Sequence, residues 1–540
     1  MKSFAAADRT SNIQRLRNEH FDLVIIGGGI NGAGAARDAC LRGMKVGLVE
    51  ANDFAFGSSS RSSKLIHGGI RYLENRDFHL VFEALAERRT LLEIAPHLVH
   101  PLKFMIPMYE GGRVSPRLMS LGMWLYDALA LFETPEAHER LRPTEALQEI
   151  PFLLRQGLQA AFTYADAYMD DDRLVIETLR SANEAGLVAA NYVKAVGREL
   201  DPQGRMVALE AEDLRASSRF QIRADRFITT VGPWVDTLAS RLFTDWKRHL
   251  RPTKGIHLTF SRTRFPLKMA VVMAAEERIV FAIPRHEMVL VGTTDTDFNG
   301  NLDQLHAEAG EVDYLLKVVD RYFPGLKITP QDIVASYAGV RPLVDDGAVK
   351  EGKTSREHTI ETDGHGVTYV MGGKYTTYRR IAEQAVKKVL ETLPLEKRAQ
   401  WRLCQTEQPL NALITAGYLD RAEEEAGELV ALSGLGREDA ARLYERHGDE
   451  ALEMARSFPD LRSLVEFEAA HAILMTMCLN LSDFYFRRLP LYLSRPDHGL
   501  SEITRIADVF AAYHNWSNAE RNDQIHSLQE KIQAELNWRR

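Results

Sequence analysis

The sequence predicts a mixed fold of the α/β (α+β) class. A Rossmann-type nucleotide-binding domain is interleaved with a β-rich domain, and a helical domain closes the C-terminal end. Three observations carry this. A glycine cluster, Gly27–Gly32, stands between an apolar run and a small-residue helical stretch. Short β-rich runs alternate with turns from about residue 187 to 370. From about 405 onward the apolar residues recur with helical period among many charges.

Length and composition set the bounds. At 540 residues the chain has room for three to four domains of about 150 residues each, and a core that size needs no disulfides. Cys40, Cys404 and Cys478 are widely separated and lack metal-ligand spacing, which implies a reducing compartment and no metal site. A net charge of −8 argues against a general nucleic-acid binder. The first twenty residues lack the apolar core of a secretory signal. No apolar run reaches the roughly 18 residues a bilayer span needs; the nearest, Leu118 to Phe132, is short and broken by Asp127. The expected location is cytoplasmic.

Element by element, Phe21 to Ile26 is a β-branched apolar run that reads as a buried strand, Ile30 to Arg42 as a helix, and Lys45 to Val49 as the next strand. Residues 75 to 155 read as mainly helical. Asp170, Asp171 and Asp172 precede Leu174 to Ala185, and capping of that helix is preferred over a metal site. Strands follow at 188–196, 227–231, 256–260, 271–273, 288–291 and 367–371, and Thr376 to Val389 has helical period. The expected nucleotide-binding domain is 18–75 with parts of 155–255 and 335–390. A substrate domain takes 76–154 and 256–334, and the helical domain 400–540.

Gly27-Gly28-Gly29-Ile30-Asn31-Gly32 fits G-x-G-x-x-G between a strand and a helix, with a second strand ending in Glu50. Gly27 permits the tight turn, Gly29 lets backbone approach a pyrophosphate, and Gly32 brings helix and strand together. The helix start offers free N–H groups to phosphate. Glu50 can accept from ribose hydroxyls, and its charge disfavours a 2′-phosphate, so NADP is not expected. The hydroxyl-rich Gly57-Ser58-Ser59-Ser60-Arg61-Ser62-Ser63-Lys64 runs straight into Leu65-Ile66-His67-Gly68-Gly69-Ile70-Arg71-Tyr72-Leu73-Glu74. Such a loop suits a second phosphate contact and a flavin edge, which points to FAD.

These motifs are followed in order by Val231-Gly232-Pro233-Trp234, Gly292-Thr293-Thr294-Asp295-Thr296-Asp297, Gly339-Val340-Arg341-Pro342 and Gly372-Gly373-Lys374-Tyr375-Thr376-Thr377-Tyr378-Arg379. Together they resemble the FAD-dependent, quinone-linked glycerol-3-phosphate dehydrogenase family, within the D-amino-acid-oxidase-like flavoproteins, over residues 20 to 535. The resemblance implies oxidation of sn-glycerol 3-phosphate to dihydroxyacetone phosphate. It also implies non-covalent FAD, although His67 is a conceivable attachment point. Arg71, Arg356 and Lys374 would then hold the substrate phosphate and Tyr72 would hydrogen-bond the substrate. His257 and His67 are the candidate bases, and Arg341 would polarise the forming ketone. Cofactor contacts are assigned to Asp22, Gly27, Gly28, Gly29, Ile30, Asn31, Gly32, Glu50, Ser59, Ser60, Ser62, Ser63, Lys64, Leu65, His67, Gly232, Gly373, Lys374 and Thr376. The helix start after Gly373 is expected at the flavin pyrimidine carbonyl.

The acceptor implied is a membrane quinone. The alternatives are an oxidase using O2, whose relatives carry an insertion not found here, and an amine or amino-acid oxidase of the same fold group. Quinone chemistry calls for peripheral binding on the inner face of the cell membrane. Arg113-Val114-Ser115-Pro116-Arg117 and the apolar stretch after it could serve for docking or as a core helix pair. A homodimer stands among the candidate partners.

Overall fold

A computed structural model describes residues 2–70, 77–130, 136–275, 278–345, 358–414 and 416–539. Two sheets organise it. The first runs Thr359–Thr362, Val367–Met371, Ser218–Thr229, His20–Ile26, Val46–Val49, Val188–Ala190, parallel except for its outer hairpin. Val46–Val49, Val188–Ala190 and Val367–Met371 are buried at every position, as expected of strands in a sheet covered by helices. The helix Ile30–Leu41 is nearly all small residues, so its neighbours come close: a Cβ on Gly34 would stand 3.0 Å from Ala382 Cβ. The long strand Ser218–Thr229 leaves the sheet to pair with Met206–Asp213 in an antiparallel ribbon.

Among the described residues the second sheet has ten strands, and in it Leu250–Ser261 pairs antiparallel with Ile333–Val344 on one side and Met288–Gly292 on the other. It continues through Arg278–Arg285, Ala270–Ala275, Val99–Tyr109 and Leu158–Met169 to Leu65–Ile66. Leu65–Ile66, Leu158–Met169 and Ile333–Val344 therefore run in this sheet, a finer interleaving than the sequence boundaries suggest. Residues 75 to 155 are not mainly helical throughout. Val99–Tyr109 is an eleven-residue strand between the helices Phe78–Ile94 and Pro116–Leu129. Its Pro101 and Pro107 hide it from a pattern search, since proline lowers strand propensity.

The aspartate run is also used differently from the capping expectation. Asp170 occupies the N-cap of Asp171–Glu184 but makes no side-chain cap. Its carboxylate instead pairs with Arg285 and His286. Burial works against that charge, yet Arg285 and His286 hold it well below the usual carboxylate range. Beyond residue 404 the chain is helical, from Ala422–Ser433 to Asn518–Glu535. Among the described residues no helix is long and apolar enough to cross a membrane.

His97, in the turn before Val99–Tyr109, is 2% exposed, and neither ring nitrogen has a hydrogen-bond partner among the described residues. Burial depresses it to about 3. An unfolded imidazole takes its proton near pH 6.5, so this residue removes stability as pH falls from 6.5 toward 3. His97→Leu should be nearly neutral at pH 7. At pH 5 it should gain about 2 kcal/mol over the parent relative to pH 7, read from urea unfolding at both values; an equal difference at both would refute the assignment.

Candidate active site

Strand register builds the chemical end of the site. In the pairing of Leu250–Ser261 with Ile333–Val344, Thr253 faces Arg341, Gly255 faces Gly339 and His257 faces Tyr337. Alternate residues share a face, so His257 and Arg341 stand on one surface with a pair of glycines between them. A Cβ at Gly255 would lie 2.7 Å from Arg341 Nη2, and one at Gly339 2.6 Å from the Arg61 carbonyl oxygen. Across the other register, a Cβ at Gly292 would lie 2.1 Å from His257 Cδ2. The missing side chains are what let an imidazole and a guanidinium lie over the sheet.

Each is held by named partners. Arg341 donates from Nη1 to Asp295 Oδ1 and from Nη2 to Thr293 Oγ1, both at 3.0 Å. His257 Nε2 meets Ser63 Oγ at 2.8 Å, and its ring stacks on Tyr337 at 4.9 Å. Tyr337 donates in turn to the Ser62 carbonyl at 2.6 Å. Nδ1 of His257 is buried with no hydrogen-bond partner among the described residues. Burial, reinforced by the Arg341 and Lys64 cations, holds this imidazole well below its ordinary range. It is therefore neutral near pH 7.

The nucleotide end follows from the glycine turn. Gly27 sits at φ +112°, and a Cβ on Gly32 would fall 1.9 Å from its carbonyl oxygen. The helix start at Gly29 carries no cap from its own side chain, and free first-turn donors of this kind are what hold phosphate. Glu50 accepts from Gly28 N at 2.7 Å and from Asn52 N at 2.8 Å, which fixes the carboxylate beside the turn. Ile30 N donates to Ser59 Oγ at 3.0 Å, tying the hydroxyl loop to the helix. On the far side Thr376 Oγ1 meets both His67 N and His67 O, at 3.3 and 3.4 Å.

One cavity of about 640 Å³ joins the two ends. Of the residues singled out from sequence it is lined by Gly27, Gly29, Ile30, Asn31, Glu50, Ser59, Ser62, Ser63, Leu65, His67, Gly232, His257, Arg341, Gly373, Lys374 and Thr376. Gly28 and Gly32 shape the turn from behind. Three assignments to the cofactor do not fit. Asp22 accepts from Lys45 N at 2.7 Å, near the end of its strand remote from the glycine turn. Lys64 is 1% exposed and turned away from the cavity into an ion pair with Asp171, where it also donates to Ser60 O. Ser60 makes no part of the lining. Arg71, Tyr72 and Arg356 lie outside the described residues.

The cavity also draws on residues given no role from sequence, Arg61, Asp166, Arg278, Thr293 and Asp295, and Tyr337 backs it by stacking on His257. Thr293 and Asp295 sit in a segment already notable as a motif. Tyr337 could have been found two residues before Gly339, by strand alternation. The cradle fits FAD on its own terms. It supplies a side-chain-free approach at the turn, an oriented carboxylate for a ribose, and hydroxyls and backbone along the remaining length.

Comparison with known proteins agrees with this geometry. Residues 22–379 match the family described as FAD dependent oxidoreductase, and 404–521 match the C-terminal domain of alpha-glycerophosphate oxidase. The chain is 35% identical to the aerobic glycerol-3-phosphate dehydrogenase of Bacillus subtilis over 501 residues, 90% of each chain. It is 33% identical to an alpha-glycerophosphate oxidase of Streptococcus pyogenes over 596 positions, covering 98% of this chain and 97% of the relative. The crystal structure of the glycerol-3-phosphate dehydrogenase from Bacillus halodurans complexed with FAD superposes with a TM-score of 0.82 at 26% identity, covering 98% of both chains. The chain belongs to the FAD-dependent oxidoreductases, in the family that holds the aerobic glycerol-3-phosphate dehydrogenases and the alpha-glycerophosphate oxidases.

Proposed function

We propose that this protein oxidises sn-glycerol 3-phosphate to dihydroxyacetone phosphate and passes the electrons to a membrane quinone. The observation that carries the chemistry is the pairing of a neutral, buried His257 with Arg341 on one cleared face of the cavity. FAD, when bound, would supply the acceptor for the C2 hydride. His257 takes the C2 hydroxyl proton, a role open to it because burial keeps the ring unprotonated. Arg341, fixed by Asp295 and Thr293, meets the oxygen on which negative charge grows. Lys374, with Arg71 and Arg356, holds the phosphate, and Tyr72 hydrogen-bonds the substrate. His67 packs beside Thr376 at the flavin end. The FAD is held without a covalent bond.

The quinone reading over oxygen is supported by alignment length. The oxidase match extends over 596 positions, more than the 540 residues of this chain, so the oxidase holds residues with no counterpart here. The dehydrogenase match, over 501, needs no such excess. A docking face supports the same reading. The helix Pro116–Leu129 buries Met123, Tyr126 and Asp127, while Leu118, Leu121 and Trp124 are 59%, 67% and 59% exposed. Phe78 and Phe82 are exposed on the neighbouring helix, and Arg113 and Arg117 flank the start. An apolar stripe with a tryptophan and a basic end suits an anionic lipid surface.

Anaerobic addition of glycerol 3-phosphate should bleach the flavin band, and a quinone analogue should restore it faster than oxygen does. No bleaching would overturn the substrate, and faster recovery with oxygen would overturn the acceptor. Arg341→Lys should lower kcat by about 10²–10³ with a smaller change in KM, because an ammonium cannot reproduce a fork-shaped donor to the transition state. A change confined to KM would move Arg341 to the phosphate. For docking, Leu121→Glu with Trp124→Glu should abolish sedimentation with anionic vesicles while leaving turnover with a soluble acceptor intact. Unchanged sedimentation would rule this face out.

A further inference from the structure

The hydroxyl loop is gripped from outside by the last helix of the chain, and none of the roles described so far uses that grip. Arg61, within the loop, donates from Nη2 to Glu535 Oε1 at 2.5 Å and from Nη1 to the Ala338 carbonyl at 3.4 Å. Glu535 ends the helix Asn518–Glu535, and its own carbonyl accepts from Ser336 Oγ at 2.8 Å. Trp538 Nε1 donates to the same Ser336 Oγ at 2.8 Å. One residue thus ties the loop by its side chain and the strand Ile333–Val344 by its backbone. That strand carries Tyr337 and Arg341. The loop carries Ser59, bonded to the glycine-led helix, and Ser63, bonded to His257.

Burial makes the link matter. Glu535 is 5% exposed, and its second carboxylate oxygen has no hydrogen-bond partner among the described residues. Its bonded oxygen is therefore the acceptor that holds Arg61, and a half-buried guanidinium without an acceptor at that reach would have to move to find another partner. Glu535 itself is no part of the cavity lining. We propose that Glu535 is a positioning residue of the flavin site: it clips the hydroxyl loop at Arg61 to the strand Ile333–Val344, setting where Ser59 and Ser63 stand without touching cofactor or substrate. The C-terminal helical region is then part of the active-site scaffold.

The test uses the full-length FAD-loaded enzyme and four readouts: FAD release after dilution, kcat, KM and the thermal midpoint. Glu535→Ala should speed FAD release about tenfold and lower kcat about 10- to 100-fold, since small misplacements at a reacting centre are costly, with KM changed less than about twofold. Glu535→Gln keeps an acceptor oxygen at the same reach and should restore most of both losses. Glu535→Asp keeps the charge but withdraws it by one methylene and should behave like alanine. Should Glu535→Ala fail to fold, the order of the other two decides: glutamine near the parent with aspartate impaired supports the clip, and any other order overturns it. A lowered thermal midpoint with FAD release and kcat unchanged would also overturn it, leaving a structural role only.

Discussion

The site depends on a clearance. Two glycines facing each other across one strand pair, Gly255 and Gly339, leave a strip of sheet uncovered, and a third at Gly292 admits the imidazole. A β-surface of ordinary side chains would fill that space, since interiors are packed close to crystal density. Here the vacated volume is taken by the Arg341 side chain, the Arg61 backbone and the His257 ring. The charges are therefore placed by sheet register, and register is among the stiffest features a fold can offer. Loops contribute the partners, Ser63 and Asp295, and the sheet contributes the distances.

Much of this was legible in the sequence because it is local. A glycine turn between strand and helix, an acid at the end of the next strand, and hydroxyls followed by His67 all announce themselves within a few residues of each other. What could not be read was contact between distant segments. Lys64 looks like a cofactor ligand when only its serine neighbours are known. Its real partner, Asp171, is 107 residues away. The Arg61–Glu535 pair spans 474 residues. Val99–Tyr109 escaped because its two prolines break the expected alternation, and a sheet assembled from remote strands overrides such local preference. Asp170 obeyed the capping rule in position and departed from it in use, because a buried cation opposite competes for the carboxylate more strongly than a backbone N–H.

Buried charge recurs where the helical region meets the rest. Asp53 accepts from Arg487 and Arg488, and Arg180 joins Glu177 to Glu450. Such pairs add little net stability over apolar packing, but a partner removed from one is expensive. They therefore specify how the surfaces meet. The same reasoning bears on His447, Glu450 and His471, whose ligand-type atoms lie within 4.8 Å of one another. The Glu450 carboxylate already accepts from Arg180 and Asn411, and His447 faces Glu468. A guanidinium occupies the electrostatic place a cation would want.

The first sheet also has a consequence for how the molecule comes into being. The strand His20–Ile26 is flanked by Val46–Val49 and by Ser218–Thr229, and the latter pairs with Val367–Met371. On a ribosome the glycine turn emerges early, yet the neighbour that closes its strand arrives some two hundred residues later, and the next after another hundred and more. Parallel pairing over such separations is slow, because loop closure must be met before contacts repay it. The cradle for the dinucleotide is thus assembled late from a nascent chain whose apolar strands have long been waiting. The sheet that cradles the dinucleotide is complete only once Val367–Met371 has emerged, with the helical region still to follow.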